Sequence, residues 1–321
     1  MALMKQHFGV QGLVYSGRIP NLSGIAGAFG IPYNGWMEAD DAITYANTRP
    51  EMLRALLWLR RLYELNLVDV ESSTLSQDQA EERYIDGKSG FMIFNGGHHV
   101  TRIDDMMKQV DPNAQEWLLP APAGPDGKRG YVVEPSFWGV TFITDTSRNP
   151  VSAAALLNYL MTEEGQKLTA YGVEGIHYLE PSPGNIQPID SGREQETATH
   201  WDGNRYHQLA SPIISWVNWK YQLWWSLRGK PESYVDWFSE MWTNQCRYTT
   251  RNAILLPLTV KWSQFQQFST ELTQEYFSRI ILGDGNPERL FTEYVDKWFS
   301  GGGKEAVQEI TRMKLSQIGP R

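Results

Sequence analysis

Residues 50–70 read PEMLRALLWLRRLYELNLVDV, and this stretch decides the fold. Across Pro50–Asn66 the apolar residues Met52, Leu53, Leu56, Leu57, Leu59, Leu62, Tyr63 and Leu65 recur at helical spacing. Arg54, Arg60, Arg61 and Glu64 fill the opposite side. That pattern is the wide apolar stripe of a helix lying against a core. Upstream, Gly12–Trp36 is rich in Gly, Asn, Ser and Pro around a strand-like run at Leu13–Tyr15, and reads as a strand followed by a long loop. Downstream, Ser76–Asp86 forms a second helix, with Ser76 as N-cap and Gln79 three residues on. Gly90–Phe94 (GFMIF) is a short buried strand, Asn95-Gly96-Gly97 turns the chain, and His98–Val110 starts the next helix. A strand running straight into a helix leaves unpaired backbone N–H groups at the junction, a geometry that favours a ligand oxygen.

The remainder extends the same alternation. Leu118–Gly130 is a Pro/Gly-rich connection that turns at Pro125-Asp126-Gly127, and a strand is expected around Gly139–Thr144. Asn149-Pro150 opens a helix through Met161, and Gly165–Tyr171 forms a separate short one. Leu179–Gly203 is a polar excursion. Helices are then expected over Pro231–Arg247, Leu255–Leu282, Pro287–Phe299 and, after a separating turn at Gly301–Gly303, Lys304–Leu315. Short strands among many helices indicate an α/β fold with heavy helical decoration.

The chain has 321 residues, 41% of them apolar, enough for a core in two lobes. A formal net charge of -8 argues against nucleic acid, whose phosphates demand a basic face. Cys246 is the sole cysteine, so an internal disulfide and cysteine-built metal sites are excluded. No run of about 18 to 20 apolar residues occurs to span a bilayer. Met1–Val10 lacks an apolar signal core, so no export signal is read in this chain. The 13 tryptophans suit either an aromatic helical core or flat platforms for sugar faces.

Catalytic patterns are sparse. Glu38, Asp40 and Asp41 cluster beside Trp36, as an acidic turn or as half of a glycosidase carboxylate pair; a glycoside-active enzyme is the alternative from another class. His98 and His99 are adjacent and would point apart on a helix, which chelates a metal poorly. Asp284-Gly285-Asn286 lacks the ligand count of a calcium loop. Neither a metal nor a cofactor is expected.

Read in order, Leu56–Val70, Asp86–Asn95 (DGKSGFMIFN), Trp138-Gly139, Asn149-Pro150, Ala153–Leu160, Glu163-Glu164-Gly165-Gln166, Tyr171–Tyr178 (YGVEGIHY), Phe291–Gly303 (FTEYVDKWFSGGG) and Glu305–Glu309 resemble extracellular solute-binding proteins of family 1. The nearest branch is that of oligosaccharide-binding lipoproteins. The resemblance runs from about Gly27 onward. It implies a periplasmic-binding-protein-like type II fold of two lobes, helix-rich, with the first lobe largely missing. Residues 1–116 would be the first part of the second lobe, 117–178 the crossover and a remnant of the first lobe, and 179–321 the helical remainder of the second.

The resemblance further implies capture of a carbohydrate for an ABC transporter permease, outside the cell or at its surface. Membrane association would come only through a lipid anchor absent from this chain. A remnant that no longer binds ligand is a third reading. Implied ligand contacts are Asn95, Gly96 and His98 at the strand-to-helix turn, with Trp138 as a stacking platform. Tyr33 and Trp36 would stand at the rim, and His177 and Tyr178 at the close of the crossover. Trp219 stands out among Trp216, Trp224 and Trp225.

Overall fold

Helix α2, Pro50–Glu64, is where the sequence pattern puts it; its number follows a short helix upstream. Pro50 occupies the first turn, where its missing N–H costs nothing. Met52, Ala55, Leu56, Leu59 and Leu62 are buried. The helix ends where Asn66 takes a left-handed conformation, at φ 54, and Leu67 N–H donates back to the Leu62 carbonyl. The computed structural model describes residues 6–7, 9–17, 21–39, 42–93, 103–133, 142–171, 173–176, 178–182, 187–189, 232–254 and 259–318.

The chain divides into two compact units, Met1–Glu134 with Asp236–Arg321, and Pro135–Val235. In the first, β1 (Gln11–Val14) pairs in parallel with β4 (Ser89–Met92), Leu13 opposite Phe91. Leu13 also pairs in parallel with Val68, its N–H donating to Leu67 and its carbonyl accepting from Asp69. Each return to this small sheet passes through a helix, α2 and then α3 (Gln77–Ile85), which is the α/β alternation read from the sequence. The N-cap of α3 is the expected capping box, with Ser76 and Gln79 bonding each other's backbone N–H. Ser76→Ala is expected to cost about 1 kcal/mol of stability in urea unfolding.

One reading changes within this unit. The long loop after β1 contains a short helix, α1 (Ser23–Gly27), because Leu22, Ile25 and Ala26 are apolar enough to be buried there. The Pro/Gly-rich connection Leu118–Gly130 packs within this unit. Gly124 and Gly130 bring its backbone into direct contact with α1 and with Ala28. Strand β5 (Tyr131–Val133) then pairs in parallel with β8 (Thr249–Arg251). The strand expected around Gly139–Thr144 falls mostly outside the described residues; Phe142–Thr144 is irregular and exposed.

The hairpin β2 (Trp36–Ala39) and β3 (Ala42–Tyr45) folds against the last third of the chain. That third is helical, as read. Between α4 (Asp104–Val110) and those helices come α5 (Pro150–Leu160), α6 (Glu163–Tyr171), the short pair β6 (Tyr178–Leu179) and β7 (Gln187–Pro188), and α7 (Glu232–Cys246). Next are α8 (Val260–Leu282), α9 (Pro287–Trp298) and α10 (Lys304–Ile318). Asp284-Gly285-Asn286 is a helix link: Gly283 caps α8 at φ 85, and the Asn286 side chain accepts from Arg289 N–H at 2.8 Å. Gly301–Gly303 does not fully separate its helices. It lies in a π-helical turn, Phe299–Gly303, kinked at Gly302 (φ 133) and closed over aromatic rings.

Those rings form the centre of the core. Trp36 meets Trp262 edge-on at 5.0 Å, Tyr45 stacks on Trp298 at 5.0 Å, and Phe265 closes on Trp298 at 5.2 Å. The indole N–H of Trp298 donates to Ser269 Oγ at 2.8 Å. Buried tryptophans need such a partner for their one polar atom.

Candidate functional site

Parallel strands place their carboxyl ends on one edge, where open α/β sheets bind ligands. In the first unit that edge lies just beyond Val14 and Met92. On the β1 side it carries a closed polar network. Tyr15 is buried, its hydroxyl bonded to that of Tyr63 and its N–H donating to Ser72 Oγ at 3.3 Å. Arg83 ties buried Asp69 at 2.5 Å and also pairs Glu71. Burial holds the Tyr15 hydroxyl well above the ordinary tyrosine range, so it acts as a neutral hydrogen-bonding group. The chain leaving β4 continues into Asn95, Gly96 and His98, which lie outside the described residues.

The second unit contains a cavity of about 550 Å³ between α5, α6 and β6. The local sequence explains its walls. Thr162 ends the α5 connection and caps α6, its hydroxyl accepting from Gly165 N–H at 3.1 Å and donating to the Tyr159 carbonyl at 2.7 Å. Gly165 permits this turn, because a Cβ there would fall 2.1 Å from the Tyr159 carbonyl oxygen. Glu163 and Glu164 thus occupy the first turn of α6, where the helix dipole favours carboxylates. On the far wall, Gly175 N–H donates to the Tyr178 carbonyl and turns the chain into β6. Tyr178 is 4% exposed and lines the cavity with Tyr159, Leu168 and Val173.

Among the described residues the charged lining is mostly anionic. Glu163, Glu164, Glu174 and Glu180 line the cavity with Lys167. The Lys167 ammonium sits 2.8 Å from Glu180 and 3.5 Å from Glu163, and its bond to Glu180 holds it above the ordinary lysine value. Tyr159 donates to Glu164 at 3.3 Å. Among the described residues, carboxylate acceptors, the Lys167 ammonium and the phenol rings of Tyr159 and Tyr178 are chemistry for a polar organic ligand.

Trp36, expected at a rim, is 1% exposed at the heart of the aromatic core; the β2–β3 hairpin turns its ring inward against α8 and α9. Tyr33 packs half-buried against the same core, and burial pushes its hydroxyl up to about 12. Glu38 of the acidic cluster is paired with Lys314, while Asp40 and Asp41 lie outside the described residues. So do Trp138, His177 and Trp219. Of the expected contacts among the described residues, Tyr178 alone lines the cavity. Sequence reasoning missed Tyr159, Lys167 and Glu180. Tyr159 reads as helix, and the Lys167–Glu180 pair spans a turn that no helical spacing signals.

Among the described residues no helix is long and apolar enough to cross a membrane. No family model matches the chain. The lipoprotein LipO of Bacillus subtilis (strain 168) is 20% identical over 306 residues, covering 90% of this chain and 56% of LipO. Among solved structures, the alginate-binding protein AlgQ2 superposes with a TM-score of 0.67 at 14% identity, over 96% of this chain and 64% of AlgQ2. The S. pneumoniae ABC-transporter substrate binding protein FusA, in complex with kestose, gives 0.60 at 13% identity, over 97% of this chain and 64% of FusA. The chain thus spans somewhat under two thirds of the length of these proteins. It has the helix-rich α/β fold of the two-lobed periplasmic solute-binding proteins.

Proposed function

We propose that this chain captures a carbohydrate, an oligosaccharide, for an ABC importer, and that it grips its ligand without breaking bonds. The observation that carries this reading is the fold shared over nearly the whole chain with AlgQ2 and FusA, a binding protein for alginate and one complexed with kestose. Local chemistry supports it. The unit-two cavity offers aromatic faces and several carboxylate acceptors, which suits ring hydroxyls. In this reading Asn95, Gly96 and His98 contact ligand where the chain leaves β4, and Trp138 and His177 add further contacts. The pairing of Glu38 with Lys314 speaks against a free catalytic carboxylate beside Trp36.

We further propose that the apolar face of α5 is an interaction surface. Helix α5 is apolar nearly all round, yet Leu160 is its one buried residue, and Val151 and Leu156 stand in solvent. An apolar helix of that kind is ordinarily covered. Binding of a hydrophobic dye such as ANS, reduced by Val151→Ser with Leu156→Ser, is the expected result; unchanged dye binding would argue against an exposed face.

Calorimetric titration with neutral oligosaccharides of several linkages tests the main reading. At least one is expected to bind saturably, and Tyr159→Ala is expected to weaken it about tenfold, a loss of about 1.4 kcal/mol. Absence of saturable binding across the set, with the protein folded by circular dichroism, would refute carbohydrate capture.

A further inference from the structure

Lys128, Arg129, Arg247 and Arg251 form a basic island on a chain whose net charge is -8. The Tyr131 N–H donates to the Tyr248 carbonyl at 3.0 Å and sets the end of the Leu118–Gly130 connection beside the start of β8. The Arg129 guanidinium lies 3.9 Å from the centre of the Tyr248 ring, and the Arg247 guanidinium 5.8 Å from the same centre. Arg129 is fixed further by its Nε and Nη2, which donate to the Ala121 carbonyl at 2.9 and 2.7 Å. That bond pair occupies one edge of the fork and leaves the donors between Nη1 and Nη2 open. Asp126, the one acid of the connection, is paired with Arg54 at 3.4 Å. Among the described residues no carboxylate pairs with Arg129, Arg247 or Arg251.

Cations drawn together in this way repel one another, and an incoming anion relieves the repulsion. A guanidinium held against a ring with its outer edge open is already oriented for two parallel bonds to a carboxylate. Lys128, Arg247 and Arg251 are exposed, so the cluster is an open surface and suits an extended segment carrying several carboxylates. We infer that this surface docks an acidic segment of a partner protein, one carboxylate meeting Arg129 beside Tyr248 and others meeting Arg247 and Arg251. Elsewhere the acidic chain repels such a segment, so the island fixes where it lands. None of the cavity residues takes part, and carbohydrate capture does not depend on this surface.

Fluorescence anisotropy of the full chain with a labelled glutamate-rich peptide, and with its counterpart bearing glutamine at each glutamate position, tests this docking. At neutral pH and low salt the glutamate peptide is expected to bind about tenfold tighter than the glutamine peptide. The preference should fall at about 1 M salt, where the screening length is about 3 Å. Arg247→Gln with Arg251→Gln should bring the two affinities close to equal, with circular dichroism unchanged because both side chains are exposed. Arg129→Lys keeps the charge and gives up the fork, and should lose most of the preference by itself. Equal binding of the two peptides, a preference that survives the double variant, or binding to phosphatidylglycerol vesicles without binding to the peptide overturns the inference.

Discussion

Replacing Trp298 with alanine is expected to destabilise the first unit by about 4 kcal/mol. The indole is fully buried, stacked on Tyr45 and meeting Phe265 and Phe299 edge-on. Its removal empties the middle of the cluster that joins the β2–β3 hairpin to α8 and α9. It also strips Ser269 Oγ of its donor, which adds the cost of a buried polar atom without that partner. A domain of ordinary stability has about 5–15 kcal/mol in total, so the variant should unfold at far lower urea, or fail to accumulate folded. Trp298→Phe keeps most of the ring area and gives up the hydrogen bond; about 1–3 kcal/mol is expected. Urea unfolding followed by tryptophan fluorescence checks both. A loss below about 1 kcal/mol for the alanine variant would mean that these rings are not close-packed.

Gly27→Ala should cost about 3 kcal/mol. Helix propensity alone predicts the opposite sign, because alanine in a helix is favoured over glycine by about 0.5–1 kcal/mol. Packing decides the matter here. A Cβ on Gly27 would fall 1.7 Å from the Gly130 carbonyl oxygen, and backbone cannot step aside as a flexible side chain can. Gly124 meets Ala28 in the same way. These approaches hold residues 117–134 against α1, so their loss should free that connection together with β5. Proteolysis near Lys128 and Arg129 is expected to accelerate in Gly27→Ala. Higher stability in the variant would show that the close approach does not exist.

The fold was the more legible part. Its local signals are carried by a few residues each: the stripe of α2, the Ser76–Gln79 box, the proline at the start of α5 and the Asn286-Pro287 start of α9. Such signals are short-range, so they survive in one sequence read alone. The candidate site was less legible. Trp36, which the sequence suggests for a rim, is core, and Tyr178 lines a cavity whose other walls the sequence does not signal. A tryptophan next to carboxylates looks the same on paper whether its ring faces ligand or faces Trp262. Cavity walls such as Lys167 and Glu180 come from a turn that brings α6 beside β6, and no periodicity encodes that meeting.

By itself the sequence determined helices α2 to α10, strands β1 and β4, the apolar face of α2 and the Ser76 cap. All of these depend on residues within one or two turns of each other. Only the tertiary structure decided that the aromatic-rich halves of the hairpin and of α8 and α9 meet as one core, and that, among the described residues, Lys167 and Glu180 meet in the lining of one cavity. The physical reason is that burial and charge balance are sums over residues far apart in the chain, and they take a value only once folding has chosen the neighbours.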